Sequence, residues 1–159
     1  MAEQEFVAEW LRYAEMDLTT AIFDFENMYP APLEIICYHC QQAAEKFLKA
    51  VIVSFDKEVE KTHDLSKLLN VLEGFVPVSV DMRQLAVSLT QLATKTRYPE
   101  TIFIDETITK NAVEHAKQIK EWAENIITEQ MKIEIQNVIE FAVIGHQVVI
   151  IIRKDQCQR

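Results

Sequence analysis

An apolar stripe between residues 36 and 51 constrains the fold of this chain more than any other feature. Its members stand three or four positions apart: Ile36, Cys40, Ala43, Phe47 and Val51. That spacing puts side chains on one face of an α-helix, whereas a strand would need a two-residue repeat. The sequence therefore predicts a helix from about Leu33 to about Phe55, in which Ala43 and Ala44 leave room for a neighbouring helix.

The same helix carries a second, polar stripe at the same steps. It consists of His39, Gln42, Lys46 and Lys49, and Glu45 stands four residues before Lys49 in the order that favours a helical ion pair. The lysines and the histidine form a candidate contact for a phosphate group. The alternative is an ordinary solvated face, which is the more common role of such a stripe.

Residues that break helices are scarce elsewhere in the chain. The 159 residues include two glycines and four prolines, which predicts few and long elements within a single domain large enough for a core. The other predicted helices are residues 3–28, a short helix from Leu65 that ends at Gly74, one that starts at Ser79 or Asp81 and ends before Pro99, and one from Asp105 to about Gln130. Thr62 or Asp64 can cap the short helix. The prediction is an all-α, up-and-down bundle of four to five helices.

The pattern changes after Gln130. Ile133 and Ile135 alternate with polar residues, Val148 to Ile152 is a β-branched run, and Gly145 lies between them. The sequence therefore predicts a helical bundle over residues 3–130 and a C-terminal extension over residues 131–159, for which a β-hairpin is one interpretation. Charged and polar residues interrupt the most apolar part of this extension, so we expect no membrane span.

The charge and cysteine content restrict the partners and the compartment. A net charge of −9 argues against binding long nucleic acid by charge alone, so any contact with RNA is local, and a basic partner is equally compatible. Three cysteines are an odd number, which fits a reducing, cytoplasmic setting. Cys37 and Cys40 form a single C-x-x-C pair, and because a zinc site needs four ligands we expect them to be small buried residues. No metal and no cofactor is predicted.

Several side chains outside the second helix are candidates for chemistry. Arg97 offers a planar fork of donors to a phosphate and Tyr98 can stack on a base, in a segment that Pro99 keeps out of a helix. His63 is a candidate general base, or else a residue bonded at a helix start. His115 borders the apolar stripe of the last helix, where a core-edge role is the simpler interpretation. Glycine-rich phosphate loops and the common zinc-protease and serine-hydrolase motifs are absent from the sequence.

Four stretches in a fixed order resemble the HEPN domain family (higher eukaryotes and prokaryotes nucleotide-binding). They are Trp10 to Leu18, Gln41 to Ala50, Thr62 to Leu65 and Arg97 to Glu100, and the likeness covers about Glu5 to Thr128. The resemblance implies a helical bundle, commonly a homodimer, that acts near nucleotides or RNA. It also implies, as a partner, a minimal nucleotidyltransferase in a toxin–antitoxin-like pair.

Some members of that family are metal-independent ribonucleases that place a histidine shortly after an arginine. This chain departs from the pattern, because no histidine follows Arg97 before His115, 18 positions further on. The sequence therefore favours a non-catalytic binding module. Its nucleotide- or RNA-binding residues would be Arg97, Tyr98, Lys46, Lys49 and His63.

Two alternatives remain open from the sequence. One is a metal-independent ribonuclease that uses Arg97 with His63 or His115. The other is a structural interaction domain in which the polar face of the second helix binds protein.

Overall fold

The computed structural model describes residues 2–95 and 103–143, which form five α-helices. They are α1 (Ala2–Asn27), α2 (Leu33–Ser54), α3 (Leu65–Leu72), α4 (Val80–Lys95) and α5 (Glu106–Val143). These described ranges contain no strand. The predicted all-α class is confirmed.

Side chains just ahead of three helices fix where those helices begin. Asp64 Oδ1 accepts a hydrogen bond from the Ser66 backbone N–H at 2.9 Å at the start of α3. At the start of α4, Ser79 Oγ accepts a hydrogen bond from the Met82 backbone N–H at 3.1 Å. At the start of α5, Asp105 Oδ1 accepts one from the Ile108 backbone N–H at 2.8 Å. Each cap satisfies a backbone donor that has no partner within the helix. The predicted starts of these helices are thereby confirmed.

Helix α2 lies at the centre of the bundle and packs against each of the other four helices. Its predicted apolar stripe is buried, from Ile36 through Phe47 to Val51. Small residues line the neighbouring faces, which lets the helix axes approach closely: Ala14 and Ala21 on α1, Ala43 and Ala44 on α2, and Ala112, Ala116 and Ala123 on α5, all fully buried. A buried position on α2 is therefore a position in the core.

Helix α5 runs well past the predicted end of the bundle. It continues through Val143, so the interpretation of Ile133 and Ile135 as part of a strand is wrong. No glycine or proline stands between Glu106 and Val143 to stop the helix, and the two isoleucines are 55% and 58% exposed. The predicted second strand, Val148 to Ile152, lies outside the described residues, and the division at residue 130 stays a prediction.

No helix in the described part of the chain has both the length and the apolar character needed to cross a membrane.

Candidate functional site

A buried polar cluster contains three residues that stand four positions apart on α2: Gln41, Glu45 and Lys49. The Glu45 carboxylate accepts hydrogen bonds from Lys49 Nζ at 2.8 Å and from Gln41 Nε2 at 3.1 Å. His63 Nδ1 lies 3.1 Å from Glu45 Oε2. Only 5% of the Glu45 side chain and 9% of the Lys49 side chain are exposed. We call Glu45, Lys49 and His63 the Glu45 unit.

The Glu45 carboxylate stays ionised although it is buried. Burial alone raises the pKa of Glu45, but the hydrogen bonds from Lys49 and His63, the positive charge of Lys49 and the Gln41 amide together hold that pKa below its usual value. Lys49 also lies over the ring of Trp10, with Nζ 5.4 Å from the ring centroid. Both charges of the pair therefore have several partners inside the protein.

His63 is the part of this unit that reaches solvent. Its side chain is 69% exposed, and the Gln41 amide donates to its backbone carbonyl at 3.0 Å. An ionised carboxylate can only accept hydrogen bonds, so the Nδ1 atom beside Glu45 carries the imidazole proton. The Nε2 atom has no hydrogen bond within the described part of the chain, and in the neutral imidazole it is an acceptor. The unit thus holds His63 in one tautomer, with the Nδ1 proton directed at Glu45 and most of the side chain in solvent.

A second unit of the same composition joins α1 to α2. Asp17 Oδ1 lies 2.9 Å from His39 Nδ1, and Asp17 Oδ2 accepts a hydrogen bond from Lys46 Nζ. The side chains of Asp17, His39 and Lys46 are 18%, 27% and 21% exposed. We call these three residues the Asp17 unit. As in the Glu45 unit, a carboxylate binds one lysine and the Nδ1 atom of one histidine.

Two neighbouring glutamines connect the units. Lys46 Nζ donates to Gln42 Oε1 at 3.3 Å, Gln42 Nε2 donates to Gln41 Oε1 at 2.8 Å, and Gln41 donates onward to Glu45. Hydrogen bonds therefore run without interruption from His39 on one side of α2 to His63 on the other. We call the two units and these glutamines the α2 network. It includes every polar residue of the stretch Gln41 to Lys49.

The structure brings together some of the predicted site residues and separates others. Lys46, Lys49 and His63 all belong to the α2 network, and Lys49 is buried and shares Glu45 with His63. Arg97 and Tyr98 lie outside the described residues. The described chain enters that segment at the end of α4, where Thr90 Oγ1 accepts a hydrogen bond from the Leu65 backbone at 3.2 Å, two residues after His63. Thr90 thus stands six residues before the first residue outside the described range.

Asp17 and Gln41 are network residues that sequence reasoning missed. Glu45 was recognised only as the partner of Lys49 along the helix. A signal was present for two of the three, because Gln41, Glu45 and Lys49 recur at four-residue steps. No pattern in the sequence pairs Asp17 with residues on the next helix.

His115 lies on α5 and makes no hydrogen bond to the described residues of this network. It is partly buried, its Nδ1 atom is buried without a hydrogen-bond partner among the described residues, and desolvation lowers its pKa. The interpretation as a core-edge histidine fits these facts. Nothing in the described structure joins His115 to His63.

The two cysteines of the C-x-x-C pair are buried, as predicted from the sequence. Burial raises the pKa of both thiols, that of Cys40 to about 12. Cys37 Sγ lies 3.7 Å from Thr109 Oγ1 on the first turn of α5. Among the described residues no group of three or more histidine, cysteine, aspartate or glutamate side chains is arranged to hold a metal ion.

A shallow groove between α4 and α5 is another candidate binding site. It encloses about 340 Å³, and its lining includes Trp122, Asp81 and Glu121. Two carboxylates at the rim repel an anionic ligand, so this groove does not suit a phosphate.

Comparisons with known proteins agree with the helical arrangement. The family model described as the HEPN domain matches residues 7–126. An archaeal HEPN homologue of known structure is 26% identical, with a TM-score of 0.61, over 76% of this chain and 97% of its own. A protein from Thermus thermophilus is 24% identical, with a TM-score of 0.67 over 76% of this chain and 97% of its own.

A HEPN domain protein from Thermotoga maritima shares 20% identity and a TM-score of 0.62, over 76% of this chain and 98% of its own. The comparison with curated proteins found no match. The two structures below 25% identity support the fold alone.

Proposed function

This chain belongs to the HEPN domain family, and from that premise we propose that it is a nucleotide- or RNA-binding module that contacts its ligand through the α2 network. His63 and Lys46 are the ligand contacts within that network. Arg97 and Tyr98 remain predicted contacts to a phosphate and a base. Lys49 serves the ligand indirectly, because it is buried and keeps Glu45 ionised beside His63.

The observation that carries this proposal is the exposed imidazole of His63 on a buried, ionised carboxylate. Lys49 neutralises Glu45, so a proton on Nε2 gives the unit a net positive charge at the surface. Hydrogen bonds from charged donors to phosphate oxygens are stronger than neutral ones. A local contact of this kind suits a chain whose overall charge is −9 and which cannot attract nucleic acid by charge alone.

Calorimetric titration with ATP and with a short RNA tests the proposal. We expect binding heat with at least one ligand, and a roughly tenfold loss of affinity in His63→Gln, which removes a charge-assisted hydrogen bond. His115→Gln is the matched control, because that histidine lies outside the network, and it should bind like the wild type. If neither ATP nor the short RNA gave binding heat, the proposal that this chain binds a nucleotide or RNA would be contradicted.

The proposal extends to assembly and location. We propose a homodimer that acts with a minimal nucleotidyltransferase in the cytoplasm, as the non-catalytic member of a toxin–antitoxin-like pair. The free thiols of Cys37 and Cys40 are compatible with that compartment. Light scattering after size exclusion should give twice the chain mass, and a minimal nucleotidyltransferase should co-purify with the chain. A monomer that captures no such enzyme would contradict this part.

A metal-independent ribonuclease is the second candidate, and the orientation of His63 favours it. A carboxylate that fixes the Nδ1 proton leaves Nε2 free to take the proton of a ribose 2′-hydroxyl. Arg97 would then hold the phosphate, while no carboxylate among the described residues is hydrogen-bonded to His115. Cleavage of RNA in EDTA that is lost in His63→Ala and kept in His115→Ala would establish this activity. Intact RNA after incubation with the purified protein would exclude it.

A further inference from the structure

We propose that the outer face of α1 docks an amphipathic helix of a partner protein, in which apolar residues follow one side and basic residues flank them. The outer face is defined by the four large apolar residues that α1 exposes to solvent: Phe6, Tyr13, Met16 and Phe23. The inference goes beyond the proposed function and does not depend on it, because none of these residues belongs to the α2 network. The support comes from the exposure of the four side chains, from their spacing and from the charges beside them.

The outer face leaves a large apolar area in contact with solvent. Phe6 and Phe23 are 62% and 60% exposed, and Tyr13 and Met16 are 47% and 53% exposed. The opposite side of the same helix is buried against the rest of the bundle. Single exposed apolar residues are normal on a protein surface, whereas a group of large ones that share a surface marks a contact with another molecule. Packing within this chain therefore does not account for these four side chains.

The spacing of these residues fits the packing of one helix along another. The four follow one another at steps of seven, three and seven, which are the steps between the a and d positions of a heptad. The two remaining a and d positions hold the polar residues Glu9 and Thr20. From Phe6 to Phe23 the helix axis rises by about 26 Å. A second helix of about five turns can therefore cover the whole series.

The charges beside the outer face select a basic occupant. Helix α1 contains seven acidic residues and a single basic one, Arg12, which is paired with Glu9. Glu5, Asp24 and Glu26 have no ion pair within the described part of the chain, and they stand at the two ends of the apolar series. Lysine or arginine residues that flank an incoming apolar series would pair with these carboxylates. The net charge of −9 adds a long-range attraction for a basic partner.

The same charges disfavour two other occupants. If a second copy packed its own α1 on this face, seven acidic residues of one helix would meet seven of the other, and like charges oppose association. The homodimer proposed above would then use another surface. A membrane with anionic lipids repels this face for the same reason. A basic amphipathic helix is the occupant that covers the apolar series and also neutralises the unpaired carboxylates.

Fluorescence anisotropy of a designed peptide with the full chain tests the apolar contact. The peptide has three heptads, with leucine at the a and d positions and lysine at the e and g positions. We expect it to bind at micromolar concentration, and Phe6→Ser/Phe23→Ser should weaken it roughly tenfold or more, because two side chains that the contact buries are lost. Ile133→Ser/Ile135→Ser is the matched control, since these isoleucines are similarly exposed on α5, and it should bind like the wild type.

A second peptide, with glutamate in place of every lysine, tests the charge. It should bind the wild type roughly tenfold more weakly than the lysine peptide or worse. Glu5→Gln/Glu26→Gln should weaken the lysine peptide severalfold and should reduce the loss of affinity on adding salt. Glu121→Gln, which changes an exposed carboxylate on α5, is the matched control and should have no effect. Circular dichroism checks that each variant is folded.

Several results would overturn this inference. If the lysine peptide does not bind the wild type, or binds Phe6→Ser/Phe23→Ser equally well, the outer face of α1 is not its docking surface. Equal affinity for the lysine and glutamate peptides would remove the basic occupant. If the wild type is a dimer by analytical ultracentrifugation and the same double variant is a monomer, the face is instead a contact between copies of this chain. None of these measurements involves ATP or RNA, so the proposed function is tested separately.

Discussion

The two units of the α2 network each combine a carboxylate, a lysine and a histidine, but at very different depths. In the Glu45 unit the carboxylate and the lysine are almost completely buried, and the histidine is 69% exposed. In the Asp17 unit all three side chains are between 18% and 27% exposed. Similar groups are therefore divided between the core and solvent in one unit and are all partly buried in the other.

This difference decides which residues can be changed without loss of the fold. Removing one partner of a buried ion pair leaves an uncompensated charge in a medium that solvates it poorly. Water replaces the missing partner when the pair is near the surface, so such pairs contribute little. Glu45 and Lys49 should thus behave as core residues, whereas the Asp17 unit and His63 should behave as surface residues.

The largest effect is expected for Lys49→Met, which keeps the length of the side chain and removes its charge. The Glu45 carboxylate stays buried without its main positive partner, so the free energy of unfolding should fall by about 3 to 5 kcal/mol. Urea denaturation followed by circular dichroism measures this loss. The double variant Glu45→Leu/Lys49→Met should recover most of it, because an apolar pair of similar volume needs no compensation.

A loss below about 1 kcal/mol in Lys49→Met would contradict the burial of the pair. A double variant as unstable as the single one would show instead that the space around Glu45 does not accept apolar side chains. Either result would weaken the distinction between the two units.

Acid should destabilise the protein in part through the Glu45 carboxylate. The pKa of Glu45 is lowered in the folded state, so its ionisation contributes stability that is fully present above the unfolded value, about 4.3, and is lost as the pH falls through the folded value. Other carboxyl groups titrate in the same range, so the informative quantity is a difference between proteins. Between pH 5 and the folded pKa, wild-type stability should fall more steeply than that of Glu45→Leu/Lys49→Met. Parallel slopes would remove the special role of Glu45.

Much of the fold followed from local sequence, since the relevant signals act within one helical turn. Asp64 and Asp105 precede helices that they cap, and the apolar stripe from Ile36 to Val51 is the buried face of α2. The strand prediction at Ile133 failed because exposed isoleucines that alternate with polar residues also occur on a helix without a breaker. An alternation of apolar and polar residues indicates a strand only where one of its two faces is buried.

The candidate site was less predictable because its contacts cross between elements. Asp17 contacts His39, which is 22 positions away in the sequence, and Glu45 contacts His63, which is 18 positions away. Which polar residue on α2 turns inward depends on where α1 and the segment before α3 pack, and a single helix pattern does not contain that information. For the same reason Lys46 and Lys49, which share a stripe in the sequence, belong to different units in the fold.

The Asp17 unit should tolerate the substitution that the Glu45 unit does not. Lys46→Met removes the equivalent lysine of the Asp17 unit. Asp17 keeps its contact with His39, and water can take the place of the lysine ammonium group. We therefore expect the free energy of unfolding to fall by no more than about 1 kcal/mol. The same urea experiment measures it beside Lys49→Met. A cost close to that of Lys49→Met would mean that the two units are equally embedded in the core.

The smallest effect on stability is expected for His63→Gln, although this residue is central to the proposed binding. The glutamine amide can donate to Glu45 as Nδ1 does, Lys49 and Gln41 remain in place, and most of the side chain is in solvent. The free energy of unfolding, measured by thermal denaturation, should therefore change by no more than about 0.5 kcal/mol. Binding of ATP or RNA should weaken. A variant that unfolds more easily would make His63 a structural member of the buried unit, and its effect on binding would no longer identify a ligand contact. A stable variant with weakened binding would instead separate the buried carboxylate, which supports the fold, from the imidazole that it holds in solvent.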